Sequence, residues 1–115
     1  VPHLAVAVRE RVAVVGPLVL PGTSACLRCL DLHRRDRDPF WPVVAAQLVS
    51  ARVATAACDV TLATLAAGQA ALHALLLLDG GPPPPSVGGT IETDVADGRT
   101  RRRSWTAHPA CGCQW

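Results

Sequence analysis

The chain has 115 residues, half of them apolar and 17% charged, which is enough for one domain with a modest core and too little for two. A formal charge of +2, with all eleven basic residues Arg and none Lys, is too small to imply a nucleic-acid or membrane partner. Five cysteines are an odd number and no signal peptide opens the chain, so reduced thiols in a cytoplasmic protein are expected rather than a secreted disulfide framework.

In chain order, His3 to Val8 and Val12 to Leu20 are Val-rich apolar runs separated by Arg9-Glu10-Arg11. They predict two strands joined by a tight polar turn. Alternation is weak in both, as in strands covered on both faces. Pro17 cannot donate to a ladder, so the second strand is interrupted there or lies at an edge. Pro21-Gly-Thr-Ser24 then breaks the chain and delivers it to Cys26-Leu-Arg-Cys29. The following stretch, Asp31 to Asp38, reads as a solvated connector whose alternating charges neutralise one another. A peptide or phosphate contact through Arg34, Arg35 or Arg37 is the rival reading. Phe40 and Trp41 are expected to anchor this connector on the core.

From Pro42 the pattern turns helical, first from Val43 to about Arg52 and then from Ala54 to Leu78. The second segment is apolar nearly all round, which predicts a buried helix. A membrane span competes, since roughly 20 apolar residues cross a bilayer, but Asp59, Gln69 and His73 interrupt it. His73 reads as a satisfied core or rim histidine, and Cys58 as a small buried apolar residue. Asp79-Gly80-Gly81 stops the helix, and residues 82–86, four prolines and Ser86, form a stiff surface linker. Thr90 to Val95, Asp97-Gly98 and Arg99 to Thr106 predict a terminal hairpin. Its register places Arg101 and Arg103 on one face and Arg102 on the other, with Glu92 and Asp94 as solvated cross-strand partners.

The chemistry lies in the cysteines. Cys26-x-x-Cys29 points two sulfurs one way, and Cys111-x-Cys113 offers a shorter bite able to fill two further corners of a tetrahedron. The 81 intervening residues cost on the order of 4 kcal/mol of closure entropy plus a constant. Structural zinc, at roughly 10–16 kcal/mol, offsets that. Spacing therefore favours zinc on Cys26, Cys29, Cys111 and Cys113, against a redox pair, free thiols or iron. A redox pair wants the first thiolate at a helix N-terminus, and a charged connector is expected there instead. His108 is an alternative fourth ligand, and backbone N–H groups near Gly112 are candidate supports for the sulfurs.

Taken together, Gly16-Pro-Leu-Val-Leu-Pro-Gly22, Cys26-Leu-Arg-Cys-Leu30, Gln69-Ala70 on a long helix ending at Gly80, and His108-Pro-Ala-Cys-Gly-Cys113 carry a family resemblance. The chain resembles the C-terminal half of the ThiF, or ubiquitin-activating-type, adenylyltransferases, in particular their actinobacterial and azoline-peptide-biosynthesis branch. The second cysteine pair is one residue shorter than the family's common spacing. The resemblance implies an α/β fold: the C-terminal part of a Rossmann-like sheet, mixed in direction, with a long buried helix, a terminal hairpin and a structural zinc knuckle. It also implies a parent that adenylates the C-terminus of a carrier protein or peptide with ATP and magnesium. Azoline-forming relatives instead hold a precursor leader peptide for a partner cyclodehydratase, and a homodimer is a further expectation. This sequence has no G-x-G-x-x-G, no Lys to meet phosphates and no carboxylate set suited to magnesium. Residues 1–115 are thus expected to be a single partial domain, with the start at Val1 read as the mark of a fragment and no catalytic residue of its own. A self-contained zinc-binding interaction module is the alternative.

Overall fold

The computed structural model describes residues 1–9, 11–50 and 59–114. The two Val-rich runs form β1 (His3–Arg9) and β2 (Val12–Val19), paired antiparallel. β3 (Gly89–Asp94) pairs with β2, and β4 (Arg99–Ser104) with β3, so the sheet has the order β1-β2-β3-β4. Every pairing is antiparallel, which corrects the mixed sheet expected from the resemblance. The terminal hairpin is present, and it is stitched into the same sheet through β2. Asp97-Gly98 makes the turn, with Gly98 at positive φ and the Asp97 carboxylate accepting from the Arg99 N–H at 2.9 Å.

The interruption expected at Pro17 is where the ladder breaks. Pairing of β2 with β3 stops at Val15, and the β1 register shifts between Leu4 and Val6, opposite Gly16-Pro17. β2 is nevertheless central in the sheet rather than at an edge. Gly16 is obligatory at this point: its φ is +112°, and a Cβ there would run into the Gly89 carbonyl oxygen.

Among the described residues three helices accompany the sheet: α1 (Leu27–Arg37), α2 (Trp41–Ser50) and α3 (Val60–Leu78). α3 packs Leu62 and Ala66 against Ala13 and Val15 of β2, with Leu4, Val8, Ala70 and Ile91 around them. Asp59 caps its N-terminus by accepting from the Thr61 N–H at 2.8 Å. The expectation of an all-round buried helix is corrected. Only Leu62, Ala66 and His73 are buried, while Leu72, Leu75 and Leu78 are each more than half exposed. A sheet covers one stripe of a helix and leaves the opposite stripe open. α3 is long and apolar enough to cross a membrane, yet its inner stripe is already seated on the sheet. The parts of the predicted helical segments at 51–52 and 54–58, and the reading of Cys58, lie outside the described residues.

Two further expectations change. The charged connector is helix α1, because its charges fall at helical spacing, as in Asp31 and Arg34 at 3.5 Å, while Cys29, Leu30 and Leu32 supply a buried face. The Pro-rich linker is not merely a surface spacer. Pro84 and Ser86 are buried, Ser86 accepts the Leu18 N–H at its carbonyl at 2.9 Å, and its hydroxyl meets His73 Nδ1 at 2.7 Å. His73 is thus the satisfied core histidine expected. Trp41 anchors α2 to α1 through a 3.3 Å bond from Nε1 to Asp31, whereas Phe40 is exposed and anchors nothing.

A second core joins α1 to the strand end: Ala25, Cys29, Leu30 and Trp105, with Cys26, Ala107, Cys111 and Cys113 packed around them. It lies where the cysteines converge.

Candidate metal centre

Cys26 is the N-cap residue of α1, in extended conformation, and its carbonyl accepts the Leu30 N–H at 3.3 Å. Cys29 follows one helical turn on, which stacks the two sulfurs 3.6 Å apart. The other pair arrives from the opposite end of the chain. Trp105 directly follows β4, buries its ring and donates from Nε1 to the Thr90 hydroxyl at 3.0 Å. The tail then turns, with the Cys111 N–H donating to the His108 carbonyl at 3.0 Å and Gly112 at φ +77°. That left-handed residue lets two cysteines only two positions apart face the same point.

Cys26 and Cys111 sulfurs lie 3.5 Å apart, Cys29 and Cys113 sulfurs 3.3 Å, and all four sit within 4.8 Å of one another. These are free thiols. A tetrahedral zinc with bonds of about 2.3 Å would set its sulfurs about 3.8 Å apart, and the three contacts at 3.3, 3.5 and 3.6 Å come within about 0.5 Å of that spacing. The acid–base pattern fits a cation as well. The Cys29 thiol is affected most by burial, which opposes ionisation, but hydrogen bonds with the backbone of His108 and Cys26 and with the Cys113 and Cys111 thiols bring it down to about 6. Cys113 is pushed up to about 12, first by its hydrogen bond to Cys29 and then by burial. Cys111 is raised by burial and by its bonds to Cys26 and Cys29. The Cys29 thiolate forms readily, and Cys111 and Cys113 then resist. A positive ion at the centre would favour the thiolate form of each ligand.

His108, the alternative ligand, is otherwise engaged. Its Nδ1 accepts the Ala110 N–H at 3.0 Å, which leaves the proton of a neutral ring on Nε2, donated to Asp36 at 2.7 Å. That contact, ahead of the smaller opposing effect of burial, holds the Asp36 carboxyl below its usual range. His33 stands edge-on to His108 at 4.9 Å and contacts the Thr106 carbonyl through Nε2 at 2.8 Å. His33, Asp36 and His108 are close enough to share an ion, but the hydrogen bonds commit Nε2 of His108. The trio braces the tail against α1. Sequence reading missed it for want of a helix: His33 and Asp36 share a face only once α1 is recognised. The premise used against a redox pair also changes, since a helix does begin at Cys26. What separates this site from a two-thiol centre is that each of the two finds a second partner sulfur within 3.5 Å.

No family model matches the sequence, and no curated protein sequence matches it. Solved structures do match in fold. Escherichia coli MccB with ATP superposes at a TM-score of 0.69, 18% identical, over 99% of this chain and 31% of its own. MccB in complex with N-formylated MccA gives 0.69 at 18% identity, over 97% and 33%. The heterocyclase TruD gives 0.67 at 17% identity, over 98% of this chain and 18% of its own. The fold is ThiF-like. The chain thus spans about a third of MccB and less than a fifth of TruD.

Proposed function

We propose that this chain is the zinc-stapled C-terminal portion of a ThiF-like protein of peptide modification, and that its role is to hold a precursor peptide for a modifying enzyme. The observation that carries the reading is that nearly the whole chain superposes on parts of MccB, a microcin C7 biosynthetic enzyme solved with N-formylated MccA, and of TruD, a heterocyclase. A carrier-protein C-terminus is the other substrate that the ThiF resemblance allows. The parent would adenylate it with ATP and magnesium; this chain, without a Gly-rich phosphate loop or any Lys, would not do so alone.

In this reading the protein's own residues build a platform. Cys26 and Cys29 fix the start of α1, Cys111 and Cys113 fix the tail, and a zinc ion held among the four thiolates would supply structural cross-linking and no chemistry on the peptide. Trp105 and the His33–Asp36–His108 brace keep the two halves of the cluster in register. The open stripe of α3, Leu65, Leu72, Leu75 and Leu78, offers an apolar seat for the remainder of a larger fold or for a second copy. It favours this reading over a self-contained zinc module, which would have reason to cover such a stripe.

Two measurements test the proposal. The isolated chain should show no ATP–pyrophosphate exchange; exchange would overturn its non-catalytic role. A library of synthetic leader-like peptides should yield members that bind the chain in fluorescence anisotropy, and absence of binding to chain and full-length parent alike would overturn the peptide-holding role.

A further inference from the structure

β4 is the outer strand of the sheet and all six of its residues are exposed. Its register sets Arg99, Arg101 and Arg103 on one face, opposite Asp94, Glu92 and Thr90. Arg102, on the other face, serves the fold by donating from Nε to the Pro85 carbonyl at 2.9 Å and from a terminal nitrogen to the Ser104 hydroxyl. Arg103 pairs with Glu92 at 3.4 Å and Arg99 approaches Asp97 at 3.9 Å. Among the described residues no carboxylate pairs with Arg101.

Where the strand ends, more cations gather. The guanidinium carbons of Arg34, Arg37 and Arg103 lie 5.4, 5.7 and 5.9 Å from the centroid of the Trp105 ring. Two come from the last turn of α1 and one from β4. Asp31 faces Arg34 and Glu92 faces Arg103, but no carboxylate among the described residues pairs with Arg37. Arginines along an exposed edge are an ordinary guard against strand-to-strand aggregation. That accounts for β4. It does not account for Arg37, which comes to the same ring beside Arg34 and Arg103 with no carboxylate among the described residues to offset its charge.

We propose that the β4 edge and the last turn of α1 form a docking strip for an extended acidic peptide, added to the sheet as a further strand. The edge supplies the main-chain hydrogen bonds, and alternate side chains of the added strand fall on the arginine face. Directly opposed residues there come within about 5 Å, so acidic residues at every second position meet Arg101 and Arg103, with one more reaching Arg37. Arg–carboxylate pairs of this kind give geometric selectivity as well as attraction. The inference rests on the peptide-holding reading and names the surface and the chemistry of the peptide.

The test uses the full chain and a fluorescein-labelled ten-residue peptide with Glu at alternate positions and Thr between. Two controls replace Glu by Gln, or gather the same number of Glu into one block. The alternating peptide should bind best, weaken as salt is raised, and lose about tenfold in affinity with Arg37→Glu or Arg101→Glu. Both side chains are outside the core, and circular dichroism checks that the variants fold. Equal binding of alternating and blocked peptides, or unchanged binding by both variants, overturns the strip. So does tight binding of inorganic triphosphate with no preference among the peptides, which marks a phosphate site instead. If a peptide selected from the leader-like library binds both variants as it binds the parent chain, the strip fails while the peptide-holding reading stands.

Discussion

Replacing Cys111 by Ser removes one corner of the cluster, and its effect should concentrate on residues 106–114. Apart from the cysteines and the packing of Ala107 on the second core, the hydrogen bonds that hold that tail to the rest of the fold among the described residues are His33–Thr106, His108–Asp36 and Gln114–Ser24. At about 0.5–1.5 kcal/mol net for each hydrogen bond, these amount to roughly 2–5 kcal/mol. Ordering nine residues costs on the order of 9–18 kcal/mol in backbone entropy. The contacts alone lose, and a bound structural zinc at roughly 10–16 kcal/mol makes up the difference. The hairpin itself is different, because β3 is paired on both sides and Trp105 remains seated in the second core. Hydrogen exchange should therefore show the amides of 106–114, including Cys111 itself in its bond to His108, losing protection in Cys111→Ser, while residues 89–104 keep theirs. Equal protection of the tail in variant and parent would refute the reasoning, and so would loss spreading evenly through β3 and β4.

Other consequences concern the fold that carries the site. Gly16→Ala forces a side chain into positive φ and against the Gly89 carbonyl oxygen, so unfolding free energy from urea titration should fall by about 2 kcal/mol or more; a change within error would contradict the geometry. Gln69 keeps a buried side-chain oxygen with no partner among the described residues, so Gln69→Leu should be neutral or stabilising by about 1 kcal/mol, and a clear drop in the urea midpoint would show that the oxygen is used. Burial depresses the His73 pKa below its ordinary value. The unfolded chain then takes up the proton first, so this contribution to stability is intact above about pH 6.5 and is lost as the pH falls through and below that value. Urea midpoints from pH 8 to 5 should decline less steeply in His73→Gln than in the parent; matching slopes would remove His73 from the account.

The cysteine quartet was legible because ligand spacing is local within each pair and the donor type is unambiguous. Nothing local revealed which elements carry the pairs. Asp31 to Asp38 reads as a solvated run in one dimension, and becomes a helix because Cys29 and Leu30 find a buried seat beside Trp105, more than 70 residues away in sequence. The exposure of α3 was hidden for a related reason. An Ala- and Leu-rich segment looks alike on every side, and only the sheet selects Leu62, Ala66 and His73 as its inner stripe. The direction of the sheet rests on the β2–β3 pairing, Val12 with Asp94 to Val15 with Ile91, a contact across most of the chain that strand patterns do not encode. The cation cluster around Trp105 likewise exists only after α1 and β4 meet.

The central claim, that four cysteines from opposite ends of the chain hold one structural zinc, is tested most directly by metal analysis of protein purified under reducing conditions without added metal. The account predicts about one zinc per chain, released by chelator together with the loss of ordered structure at residues 106–114. A zinc content near zero, with the tail equally protected before and after chelation, would contradict it.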